Sequence, residues 1–310
     1  METPPFRSAG DLPEQRGRRR RVGLMLVAVF GLALLVRVVY LIDSLDNPTF
    51  YAPTNDALSY HTFAAGLAQT GTPPPNFFFQ PFLYPYLLSQ VYRVGGISIW
   101  TAKVVQAILG ALTCVLTAWL ARRTFGAASG WVAGVAAAVC GPLVFFEGEL
   151  LGTGLEALVG LLLVLTMLWT GSEPRRWWAW AAVGVCGAAS VLLRPTFLPF
   201  VVVGTAWLLY AVLRTAGWQA FLRRVAPASL AAAAGFAILA LPAALAVQRN
   251  DGQFTIFPSS GALNLYLGNH PDTEYALSIR PGYAWEYLLF EPTRADPYLR
   301  SYNRISLMAG

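Results

Sequence analysis

Seven stretches of the chain are almost continuously apolar: residues 22–42, 97–121, 127–146, 150–169, 177–193, 197–213 and 226–247. A helix that crosses hydrocarbon needs about 20 mostly apolar residues, so these runs predict membrane-spanning helices. The fifth and sixth are short and are separated only by Arg194-Pro195-Thr196, which predicts a tight reversal at a membrane face. Polar positions concentrate in two long segments, residues 43–96 and residue 248 onward. Within the first, 56–69 and 81–94 mix apolar and aromatic residues with polar ones and predict two helices lying at the interface. Between them TGTPPPNFFFQ is too rich in proline to be one helix. In the second, PSSGALNLYLGNHP (258–271) predicts tight turns framing a short strand at 263–267.

Composition agrees. Of 310 residues, 56% are hydrophobic and 12% charged, against roughly 25% charged in a soluble domain; mean hydropathy is +0.51. These values predict an all-α integral membrane protein. The net charge of +6 comes almost wholly from arginine, Lys103 being the single lysine. The arginines sit at the ends of apolar runs rather than in a basic polar patch, which argues against a nucleic-acid partner. With the N-terminus in the cytoplasm, the inner segments carry thirteen arginines against four acidic residues, and the outer segments seven against eleven carboxylates. The positive-inside rule selects this orientation. The first apolar run is too long for a signal-peptide core and reads as a retained anchor. Residues 1–21 read as a basic cytoplasmic tail touching anionic lipid, 22–247 as a bundle of about seven helices, and 248–310 as an outer segment cut short. Cys114, Cys140 and Cys186 lie inside apolar runs and there are two histidines, so a Cys/His metal site is not expected.

The ionisable groups gather near the outer ends. Asp56 opens the predicted helix 56–69. Helix capping alone accounts for an aspartate there; a general base at the membrane surface, or an oxygen ligand for a divalent ion, is the functional reading. Glu147, Glu149 and Glu156 span the outer turn FFEGELLGTGLEAL. Water can solvate the first two, whereas Glu156, about two turns into a helix, should face a cavity or a partner. Arg37, Arg93, Arg194 and Arg249 are outer cations, suited either to snorkelling or to gripping a phosphate. Turn amides near Asn269 can cradle an anion, although a Gly-Asn turn alone is a weak signal. No phosphate-binding loop GxxxxGK[ST], no GxGxxG after a strand and no G-x-S-x-G elbow occurs.

The order of these features resembles the GT-C membrane glycosyltransferases, in particular the protein O-mannosyltransferase-like group that includes the lipid A aminoarabinose transferase. The matching elements are an Arg-bearing first helix, an outer loop with an early Asp, G-x-PPP, the aromatic PFLYPYLLSQVYRVGG, GELLGTGLEAL, LLRPTFLPF and RNDGQFTIFPSSGALNLYLGNHP. The resemblance implies a polytopic GT-C helical bundle, with the interfacial helices in its first outer loop. It also implies transfer of a sugar from a polyprenyl-phosphate carrier, with inversion, to a protein, lipid or glycan acceptor. Asp56 corresponds to the catalytic carboxylate, and Ala57 stands where many relatives have Glu, so Glu147 or Glu149 would have to assist. Arg37, Arg93, Arg194 and Arg249 would hold the phosphate, with Tyr84 and Asn269 at the substrate. No metal is required; a divalent cation is compatible. The expected location is the plasma (inner) membrane. The competing expectation is a transporter or lipid flippase component, which would place polar groups near the bilayer midplane.

Overall fold

The computed structural model describes residues 13–174, 176–214 and 218–261. Every regular element among them is helical, as an all-α membrane protein requires. In hydrocarbon each backbone N–H and C=O must be satisfied within its own segment, and only the helix does so for a single span. The chain divides into two compact units, residues 1–59 with 98–165 and residues 60–97 with 166–310.

The first unit contains α1 (Pro13–Asp43), the start of α2 (Asn55–Thr70), α4 (Ile99–Phe125), α5 (Ala127–Ala138), α6 (Gly141–Gly148) and the start of α7 (Thr153–Ser172). α1, α4 and α5 pack together through small residues: Ala33, Ala111, Cys114, Ala118 and Ala138 are fully buried beside Met25 and Val29. Lipid tails are as apolar as leucine, so helices in a membrane associate through close packing of such residues rather than through hydrophobicity. The third apolar run is not one straight helix. It breaks between α5 and α6 with a bend of 47°, where Gly141 and Pro142 open α6; proline cannot donate to the preceding turn.

The second unit contains the rest of α2, α3 (Leu83–Gly95), the end of α7, α8 (Trp177–Leu193), a 3-10 turn (Pro195–Phe197), α9 (Leu198–Arg214) and α10 (Trp218–Asp251). α8 and α10 approach backbone to backbone, Gly184 against the Ala232 carbonyl and Gly235 against the Ala181 carbonyl, where any side chain would collide. Phe77, Phe78 and Phe82 from the Pro-rich stretch form a buried cluster with Leu67, Leu192 and Val247. The segment after α10 pairs with that stretch through Ser259 N–H to the Phe78 carbonyl (3.2 Å) and Ser260 N–H to the Phe79 carbonyl (3.0 Å).

Among the described residues four helical stretches are long and apolar enough to cross a membrane, Arg20–Asp46, Ile99–Phe125, Thr153–Ser172 and Val225–Asp251, and the bent α5–α6 pair makes a fifth if it is one span. The fifth and sixth runs of the sequence form helices too short for that test, Trp177–Leu193 and Pro195–Ala211. The helices expected at 56–69 and 81–94 form as α2 and α3. The strand expected at 263–267 lies outside the described residues.

Candidate active site

A cavity of ≈ 370 Å³ opens in the first unit, walled by the end of α1, the loop that follows it, the first turns of α2 and α4, and the turn after α6. Its wall includes Tyr40, Asn47, Phe50, Asp56, Lys103 and Glu149.

Local hydrogen bonds hold the loop. The Asn47 side-chain oxygen accepts from the Thr49 backbone N–H (3.0 Å) and from its hydroxyl (2.8 Å), while Phe50 N–H reaches the Asn47 carbonyl at 2.9 Å. Asn and Asp commonly nucleate turns in this way. Asn55 then adopts φ of 52°, a left-handed conformation that Asn tolerates better than most residues. That single residue turns the chain into α2, whose first turn carries Asp56 to the cavity rim and buries Ala57. Asp56 is exposed to solvent.

Lys103 lies in the opening turns of α4, which Ser98 caps by accepting from Thr101 N–H (3.2 Å). The lysine is 3% exposed, and its Nζ stands 3.9 Å from the centre of the Phe50 ring. A desolvated ammonium over an aromatic face is an attractive contact, and the nearby N-terminus of α4 adds partial positive charge. Glu149, half-buried in the wall of the same cavity, is the carboxylate whose charge Lys103 feels. Its peptide is fixed by Gln106 Nε2, which donates to the Glu149 carbonyl at 2.6 Å and to the Glu147 carbonyl at 2.8 Å.

Glu147 points elsewhere. Its carboxylate pairs with Arg37 Nε at 2.5 Å, both side chains being 2% exposed. Arg37 Nη1 also donates to the carbonyls of Ala33 (3.0 Å) and Ala138 (3.3 Å), and Nη2 to Cys114 Sγ (3.5 Å). The arginine does not snorkel; it is spent inside the bundle, and neither partner lines the cavity. Glu156 sits in the first turn of α7 rather than two turns in, a position where the helix dipole favours a carboxylate.

The remaining candidates belong to the second unit. Arg93, in the last turn of α3, donates from Nη2 to the Leu67 carbonyl at 3.0 Å. Arg194 closes α8 and Arg249 lies in the last turn of α10, both exposed. Tyr84 is buried with its ring edge-on to Tyr60 at 5.2 Å, and that burial pushes its phenol well above the ordinary range. His61 Nδ1 lies 2.8 Å from the Tyr92 hydroxyl. Burial lowers the imidazole and raises the phenol to about 12, so both stay neutral near pH 7. Asn269 lies outside the described residues. Among those residues no group of three or more His, Cys, Asp or Glu side chains could hold a metal ion.

Sequence reasoning passed over Lys103 as a site residue. The signal was available: it is the only lysine, placed inside an otherwise apolar run, and an ionisable group there is a functional candidate by default.

The sequence profile of the dolichyl-phosphate-mannose-protein mannosyltransferase family matches residues 79–245, more than half of the chain. The chain belongs to this family. No curated protein and no solved structure matches it. Membership in the mannosyltransferase family makes the chain a multi-pass membrane glycosyltransferase of the GT-C type. The matched region takes in Lys103, Glu147 and Glu149, whereas Asp56 precedes it.

Proposed function

We propose that the protein transfers a sugar from a polyprenyl-phosphate carrier to an acceptor hydroxyl at the outer face of the plasma (inner) membrane, with the N-terminus in the cytoplasm. The observation that carries this reading is the convergence of Asp56, Lys103 and Glu149 on one cavity. A carboxylate at the rim and a buried ammonium in the wall are the base and the leaving-group cation that such a displacement needs.

Asp56 accepts the proton of the acceptor hydroxyl as its oxygen bonds to the anomeric carbon. The bond from that carbon to the phosphate oxygen breaks on the opposite face, which inverts the centre. The carrier departs as a phosphate monoester, having gained one negative charge over the diester it was. Lys103 and the first turn of α4 receive that charge. Because the charge grows along the reaction, the lysine favours the transition state over the bound donor, the condition for a rate effect. Glu149, in the same cavity wall, supplies a negative charge that the ammonium feels, and Asn47, Thr49 and Asn55 offer partners to sugar hydroxyls. Arg93, Arg194, Arg249, Tyr84 and Asn269 remain candidates for contacts to the carrier or the acceptor. A protein, lipid or glycan acceptor fits equally, and a divalent cation is compatible with the carboxylates.

The test is Asp56→Asn, assayed with a radiolabelled polyprenyl-phosphate sugar on membranes. Transfer should disappear while expression and membrane insertion stay at wild-type levels. Full activity in this variant removes the assignment of the base.

A further inference from the structure

The Glu147 side chain, at the end of α6, meets three other helices. Arg37 of α1 pairs with it. Gly110 of α4 lies flat against the carboxylate, and a Cβ on Gly154 of α7 would stand 2.7 Å from its Cγ. Gly148 of α6 leaves room for the Tyr40 ring. One oxygen, Oε1, has no hydrogen-bond partner despite its burial. Such a pair is hard to explain by stability, since well-packed apolar residues of similar volume commonly do as well or better.

Its placement offers another explanation. Glu147 precedes Glu149 by two residues, at the end of α6, where the chain leaves the helix for the turn that walls the cavity. That turn is held twice: Arg37 grips the Glu147 side chain, and Gln106 grips the carbonyls of both Glu147 and Glu149. We infer that the Arg37–Glu147 pair, together with Gln106, is a positioning device that sets Glu149 in the cavity facing Lys103. The inference rests on the proposed glycosyl transfer for its purpose, but not for its geometry. A wall displaced by about 1 Å is enough to cost on the order of 100-fold in rate.

The experiment replaces both charges at once, Arg37→Met with Glu147→Met, so that neither is left unpaired. It is read in a background in which Cys140 and Cys186 are alanine and Glu149→Cys serves as a reporter. A water-soluble maleimide labels that cysteine without any sugar donor, so failure of the positioning role and failure of the glycosyltransfer reading appear in different measurements. The expected result is a labelling rate changed by at least about fivefold, as local packing at the turn opens. Measured per folded molecule in protein that retains Glu149, the double variant should lose at least about tenfold in kcat, with donor KM little changed. An unchanged labelling rate in folded double variant overturns the inference. Should the double variant fail to fold, Gln106→Leu decides: it leaves the ion pair intact, and wild-type labelling in that variant overturns the inference equally.

Discussion

Replacing Lys103 by methionine removes one charge and little volume, so it separates chemistry from packing. The lysine is 3% exposed and its ammonium sits 3.9 Å from the Phe50 ring centre. Losing that contact forfeits about 0.5–2 kcal/mol, offset by no longer burying a charge, so the variant should insert and fold. The effect on catalysis is larger. Two unit charges about 4 Å apart interact by about 4 kcal/mol at an effective dielectric of about 20. Only the part that develops as the diester becomes a monoester speeds the reaction, which places the loss at about 2.7–4 kcal/mol, or 10²–10³ in kcat. The donor already carries one negative charge, so its KM should rise too, by less than kcat falls. The assay is initial-rate transfer from a synthetic polyprenyl-phosphate sugar by purified protein in lipid nanodiscs, normalised to folded protein. A Lys103→Met variant within about threefold of wild type at saturating donor would refute the assignment of Lys103 to the leaving group.

Other outcomes follow from the same geometry. Asn55→Gly should be nearly neutral because glycine accepts the left-handed φ, whereas Asn55→Val should cost about 1–2 kcal/mol in thermal unfolding and reduce transfer with it; equal behaviour of the two contradicts the strain. Gly110→Ala drives a methyl into the Glu147 carboxylate while Arg37 holds it, and should destabilise by about 1–3 kcal/mol in a denaturation series; unaltered stability shows that the pair can move aside. His61, lowered by burial from its ordinary 6.5, stays neutral when folded. Between its folded value and 6.5 the unfolded chain binds more protons, so stability is complete above about 6.5 and falls as pH drops through it. Thermal scans at about pH 5 and 7.5 should show that loss, and His61→Gln should flatten it.

The spans were legible because composition alone decides whether a segment can sit in hydrocarbon. All seven apolar runs are helical, the third in two pieces, and residues 177–193 coincide with α8 to the residue. The break in the third run was less plain, though Cys140-Gly141-Pro142 marks it: a glycine before a proline rarely continues a helix. Asp56 was legible as the opening of a helix, and α2 does begin at Asn55. What the sequence could not reveal was which charges face each other. Arg37 and Glu147 are 110 positions apart, and nothing local distinguishes an arginine that grips a ligand from one consumed by a carboxylate on another helix. Lys103 was obscured for the opposite reason: its neighbours Ala102 and Val104 read as a span, and the cavity it faces is assembled from a distant loop.

The broken third span has a consequence for how such chains can diverge. The Ala138 carbonyl at the break is answered by a guanidinium from a helix 101 positions earlier. An unanswered carbonyl in an apolar medium is costly, so the interruption costs stability once that arginine is lost, and the arginine is freely dispensable only where the helix runs straight. Homologues should therefore acquire or shed the two features together, and a sequence with the Gly-Pro interruption but an aliphatic residue in place of Arg37 would have had to find another donor.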